Sequence, residues 1–169
     1  MALAVPLSRF TPLVGGGSAF YVRRISAHHM DYDLARLLPQ LDREEIITWL
    51  VEMKAGRPAY DFILAAMDGG KLTAFQLRNG LHALFRLRGH ASDQEVFDIF
   101  VRYSQHPIQI VRSEAVQLGL GLWRFHRQYP LQPLTISHQD TATFRHAVEA
   151  GVEPRVADLA RDILRVIEL

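Results

Sequence analysis

Residues 107–127 constrain the fold more than any other stretch of this chain, because apolar side chains recur along them on more than one side of a helix. Ile108, Val111, Ala115, Leu118, Leu122 and Phe125 follow one another at steps of three or four, the spacing of one helical face. Ile110, Val116, Leu120 and Trp123 make a second apolar stripe on the same cylinder. A helix apolar along one stripe lies on a surface, whereas one apolar along two needs neighbours on both sides. This helix is therefore expected in the middle of a stack, with further helices before and after it.

The punctuation of the chain supplies those helices. Residues 31–38 read as a short helix ended by Pro39, and Asp42 with Glu45 has capping-box spacing for a helix running to about Ala55. Its Ile46, Ile47, Trp49, Leu50 and Met53 are expected to seal one end of the stack. Gly56 stops that helix, Pro58 suits a first helical turn, and residues 59–67 continue to the Gly69–Gly70 stop. Thr73 with Gln76 and Ser92 with Glu95 repeat the capping spacing, predicting helices over 74–87 and 93–103. Pro107 opens the long helix, Pro130 and Pro133 mark a loop, and two more helices follow over 140–150 and from Pro154 onward. No run alternates as a strand would.

Aligned on one another, these helices repeat. Leu77-Arg78 with Leu81 and Leu84 matches Val111-Arg112 with Ala115 and Leu118 at an offset of 34 residues, and Val156, Ala160 and Ile163 form a third copy. Each copy follows a shorter helix. Over residues 57–169 the chain thus resembles the HEAT-like helical-repeat family. The resemblance implies an all-α fold, a short right-handed α-solenoid of about three helical hairpins with an N-terminal capping helix pair, in which stacked hairpins bury one continuous core. Two departures bear on it. HEAT-like units commonly carry an acid in the turn before the second helix, and here that turn reads Ser104-Gln105-His106-Pro107; the third copy has Ala157 in place of the arginine, 45 residues after its counterpart step. A regular polar ladder is not expected, and an irregular bundle of the same hairpins is the competing arrangement.

At 169 residues the chain suits a single domain. The expected division is a poorly ordered tail over 1–29 and one helical domain over 30–169. The tail has three arginines, two prolines, three consecutive glycines and no acid, and it lacks the amphipathic period of a transit peptide. Met30 is expected to mark the start of the folded unit. The absence of cysteine excludes disulfides, thiolate metal sites and cysteine nucleophiles and favours a reducing compartment, so a cytoplasmic location is expected. No stretch approaches the roughly 18 uninterrupted apolar residues of a membrane span.

Motifs for chemistry are scarce. There is no phosphate-binding G-x-x-x-x-G-K-[ST] loop, no H-E-x-x-H, no G-x-S-x-G and no dinucleotide fingerprint. His138 and His146 stand eight residues apart with no carboxylate placed to complete a metal site. The acids Asp42, Glu44 and Glu45 have a structural use at a helix N-terminus. No enzymatic activity and no cofactor are expected.

Charge is the remaining signal. The net charge of +1 conceals blocks of +3 over 1–30, −4 over 31–70, +4 over 71–127 and −2 over 128–169. Within the basic block Arg78, His82 and Arg86 recur every four residues on one helix side, and the 34-residue offset sets Arg112 beside Arg78. Arg161 and Arg165 extend the row into the third hairpin, because the resemblance implies that second helices line the inner wall. Guanidinium groups in a row grip carboxylates or phosphates through paired hydrogen bonds. The expected function is a protein-binding module, an adaptor or an inhibitor such as an immunity-type protein, that holds an acidic or mixed partner surface. Nucleic-acid binding on the same ridge is the alternative, opposed by the near-neutral total charge and the acidic flanks. Solvated arginines paired with local acids, such as Asp158 and Asp162, are the plain reading of the same row.

Overall fold

The computed structural model describes residues 56–130 and 134–167. The tail, the expected 31–38 helix and the sealing helix with Trp49 lie outside the described residues. Among those described, the protein is all-helical: α1 Gly56–Asp68, α2 Ala74–Arg86, α3 Asp93–Tyr103, α4 Gln109–Gln128, α5 His138–Glu149 and α6 Pro154–Ile167, with one 3-10 turn at Arg88–His90 and no strand.

Local chemistry explains the boundaries. Thr73 accepts from the Gln76 amide while the Gln76 side chain accepts from the Thr73 amide, a complete capping box. Ser92 caps α3 through the Glu95 amide, but the Glu95 carboxylate does not return the bond, because Arg57 holds it with two hydrogen bonds of 2.7 and 3.0 Å. Ser137 and Asp140 form a second complete box. It starts α5 two residues before the expected start at Asp140, since the shorter Asp reaches back as Gln or Glu would. Gly151, at φ +100°, turns the chain out of α5 in the left-handed region. The expected stop at Gly89 is refined: α2 ends at Arg86 and the backbone tightens into the 3-10 turn before Ser92.

Packing centres on α4, as its two stripes require. Val111, Ala115, Leu118 and Leu122 of one stripe and Val116 and Leu120 of the other are buried. The stripe ends differ, Ile108 being 47% and Phe125 38% exposed. Helix α4 packs against α2, α3, α5 and α6, and the consecutive helices α1 and α2, and α5 and α6, pack on each other. Gly119 permits a close approach to α5 and α3: a Cβ there would stand 2.7 Å from the Phe144 ring and 3.2 Å from Phe100 Cβ. Phe144 is itself fixed edge-on against Phe97, with centroids 5.8 Å apart.

Polar ties give the helices a common direction. Arg57 and Asp68, at the two ends of α1, bond Glu95 and Arg102, at the two ends of α3, so α1 and α3 lie side by side and point the same way. Gln94 and Gln105 likewise tie α3 to the Thr135 amide and the Thr143 carbonyl of the next unit. Arg78 meets Glu114 and Arg88 meets Phe125, so α2 and α4 also share a direction.

Candidate functional site

The structure divides the expected basic row into three parts. In the first, the exposed faces of α2 and α4 bring Arg78 and His82 to one carboxylate. Arg78 Nε donates to Glu114 at 3.1 Å, and His82 Nδ1 lies 3.5 Å from the other Glu114 oxygen. Burial would raise the Glu114 carboxyl, yet its hydrogen bonds from His82 and Arg78 and the charge of Arg78 outweigh this and hold it below the ordinary carboxylate value. Both side chains remain partly exposed. The Arg78 charge is answered by Glu114, however, so this stretch of the row attracts a partner weakly.

Arg112 departs from the sequence reading. It was expected beside Arg78 on the exposed ridge, and it is only 8% exposed. Its Nε donates to the Gly151 carbonyl at 2.8 Å, Nη1 to the His106 and Pro107 carbonyls at 2.8 and 3.1 Å, and Nη2 to the Ala150 carbonyl at 3.0 Å and to Gly151. The physical reason is that the end of α5 and the turn before α4 leave carbonyls without helical donors. A planar fork of donors satisfies several at once, and a cation suits a helix C-terminus. The neighbouring Ser113 hydroxyl accepts from the Glu153 amide at 2.9 Å, so one turn of α4 holds the whole α5–α6 connection. The acceptors are backbone carbonyls, which a search for carboxylates passes over.

The third part comprises Arg86, Arg161 and Arg165, all exposed. Arg86 continues the row beyond Arg78 and His82 on α2. Arg161 pairs with Asp158 on its own helix at 2.8 Å, with both side chains more than two-thirds exposed. Such a pair contributes about 0–1 kcal/mol and yields readily to a ligand. Arg161 and Arg165 line an open cleft of about 310 Å³ with Arg145, Val148, Glu149 and Leu164.

Comparison with protein-family models, with curated proteins and with solved structures found no match. The site therefore rests on its own chemistry. Among the described residues no group of three or more His, Asp or Glu side chains is placed to hold a metal ion, and no helix is long and apolar enough to cross a membrane. His138 and His146 line a cleft of about 510 Å³ beside Ser137, Arg145 and Glu149 at the α5 surface. A third cleft, about 440 Å³, runs between Asp68 and Leu72 on one side and Tyr103 and His106 on the other. There the Tyr103 hydroxyl donates to Asp68 at 3.2 Å; burial and the Asp68 charge push its pKa up to about 12, so it stays a protonated donor at neutral pH.

One feature escaped the sequence reading. Arg88 is held over the Phe85 ring at 4.6 Å and the Phe125 ring at 5.5 Å, and Phe125 lies 5.3 Å from Tyr129. Helical spacing assigned Phe125 to the core stripe, and the 3-10 turn that brings Arg88 to it has no sequence signal beyond Gly89. The absence of acids from residues 69–92 and 115–139 was the available hint.

Proposed function

We propose that this chain is a non-enzymatic protein-binding module: a short right-handed α-solenoid of three HEAT-like hairpins that holds an acidic or mixed partner surface on the cations of its second helices. The shared direction of α1 with α3 and of α2 with α4 supports tandem stacking. The observation that carries the functional reading is the division among the arginines. Arg112 is spent on the scaffold, while Arg86, Arg161 and Arg165 keep exposed side chains on the other helices of the row, where a ligand can reach them.

In this reading the stack is a rigid support and the partner meets a preformed surface, which limits the ordering cost of association. Adaptor and inhibitor share that physics. The test is affinity capture from the cells of origin, with and without nuclease, by the wild type and by Arg86→Glu/Arg161→Glu/Arg165→Glu of equal helix content. A protein retained by the wild type and released by the variant supports the reading. Equal retention by both dismisses the cationic surface, and retention abolished by nuclease transfers the ligand to nucleic acid.

A further inference from the structure

The Arg88 platform lies where the two acid-free stretches end together. Helix α2 closes at Arg86, the 3-10 turn carries Arg88 and His90, and the last turns of α4 carry Arg124, Phe125 and Tyr129. Phe125 and Tyr129 are 38% and 50% exposed, the latter the most exposed large hydrophobic side chain among the described residues. Arg124, one residue before Phe125, is exposed, and a Cβ at Gly121, one turn before Phe125, would meet nothing within 4 Å. Among the described residues no carboxylate pairs with Arg88 or Arg124.

Each part of this arrangement has a bland purpose alone. Arg88 Nη1 donates to the Phe85 carbonyl at 3.1 Å, a helix-end contact. A capping arginine does not need two rings, however, and the rings do not need to stay in water. Stacking covers the faces of the guanidinium and leaves its in-plane N–H groups as the means of meeting a ligand, in the orientation that suits a carboxylate. Exposed Phe and Tyr beside Arg are also the side-chain types that dominate protein-interface energetics.

Deepening the proposed function, on which it rests, we infer that this platform anchors the partner through an acidic protein segment bearing a bulky aromatic side chain. The aromatic covers Phe125 and Tyr129, and the flanking carboxylates meet Arg88 and Arg124. Charge complementarity selects an anion, and the exposed rings select one that also carries apolar surface. A phosphate strand fits less well, because the cationic track is short. Along α2 and α4 it ends at Glu114, which already answers Arg78.

The experiment uses the full chain and three labelled probes of matched length followed by fluorescence anisotropy: a random copolymer of glutamate and tyrosine, polyglutamate, and oligothymidylate. The copolymer is expected to bind about tenfold more tightly than polyglutamate, the effect of one good aromatic anchor. Phe125→Ser/Tyr129→Ser should abolish that preference, and Arg124→Glu, at an exposed position where no carboxylate among the described residues pairs with the arginine, should weaken the copolymer at unchanged helix content. Equal affinity for the two acidic polymers overturns the inference. If polyglutamate binding is then lost in Arg161→Glu/Arg165→Glu, the wider proposal survives without the platform; if neither acidic polymer binds, both fall. Tighter binding of oligothymidylate than of the copolymer assigns the platform to nucleic acid and overturns the inference as well.

Discussion

Arg112 and Gly119 show how single residues set what this chain tolerates. The Arg112 fork serves four carbonyls from two connections, and no other side chain reaches that many acceptors in a plane. Lysine keeps the charge but offers a point of donors instead of a fork, so Arg112→Lys should lose about 2–3 kcal/mol, the scale of one or two charged hydrogen bonds in a buried setting. Urea unfolding measures it, and a loss below about 0.5 kcal/mol would contradict the role. Gly119→Ala tests the close approach of α4 to α5. Alanine gains about 1 kcal/mol of helix propensity, but a Cβ at 2.7 Å from a ring that cannot retreat costs about 1–3 kcal/mol. The net effect is a lower melting temperature. At Gly121, where a Cβ meets nothing within 4 Å, only the propensity gain remains, and Gly121→Ala should raise it.

At the scale of elements, Glu114 joins α2 to α4 with a pH signature. Its carboxyl titrates below the ordinary value in the folded protein, so its stabilising contribution is fully present above the unfolded-state pKa, near about 4.3, and is lost as pH falls through the lower folded value. The stability difference between the wild type and Glu114→Gln should shrink as pH falls below that region. A difference that grows on acidification below about pH 4 would contradict the assignment. The elements themselves were largely legible. Thr73, Ser92, Pro154 and the apolar steps of residues 107–127 each encode a boundary or a face through local chemistry, and α3 occupies the span those signals predict. What escaped reading depends on what approaches from elsewhere. Arg112 has the same local setting as Arg78, and only the arrival of the Ala150 and Gly151 carbonyls decides that one is buried and the other exposed. Phe125 lies in step with Leu122 and Leu118, yet among the described residues no helix covers it and it stays 38% exposed.

At the scale of the described molecule, helix direction organises charge. Asp93, Glu95 and Asp140 lie in the first turns of α3 and α5, whereas Arg86, His126, Arg127 and Arg165 lie in the last turns of α2, α4 and α6. This is the sense that the helix dipole favours. Arg102 and His146 stand likewise in the last turns of α3 and α5, so helix-end electrostatics accounts for cations at the C-terminal ends but not for the aromatic rings among them. The forces of folding and binding then separate by their response to salt. The ties between α1 and α3, Arg57 with Glu95 and Arg102 with Asp68, are exposed pairs whose loss costs about 0–1 kcal/mol each. The heavier terms, core burial and the Arg112 hydrogen bonds, lie out of reach of the ionic atmosphere. Raising the salt concentration several-fold should thus leave the urea midpoint within about 1 kcal/mol of stability while it weakens the hold on an acidic polymer. Because the proposed anchor includes an aromatic contact, the glutamate–tyrosine copolymer should lose less affinity than polyglutamate over the same salt range. Parallel losses for the two polymers would mean that charge alone holds the ligand and that Phe125 and Tyr129 are spectators.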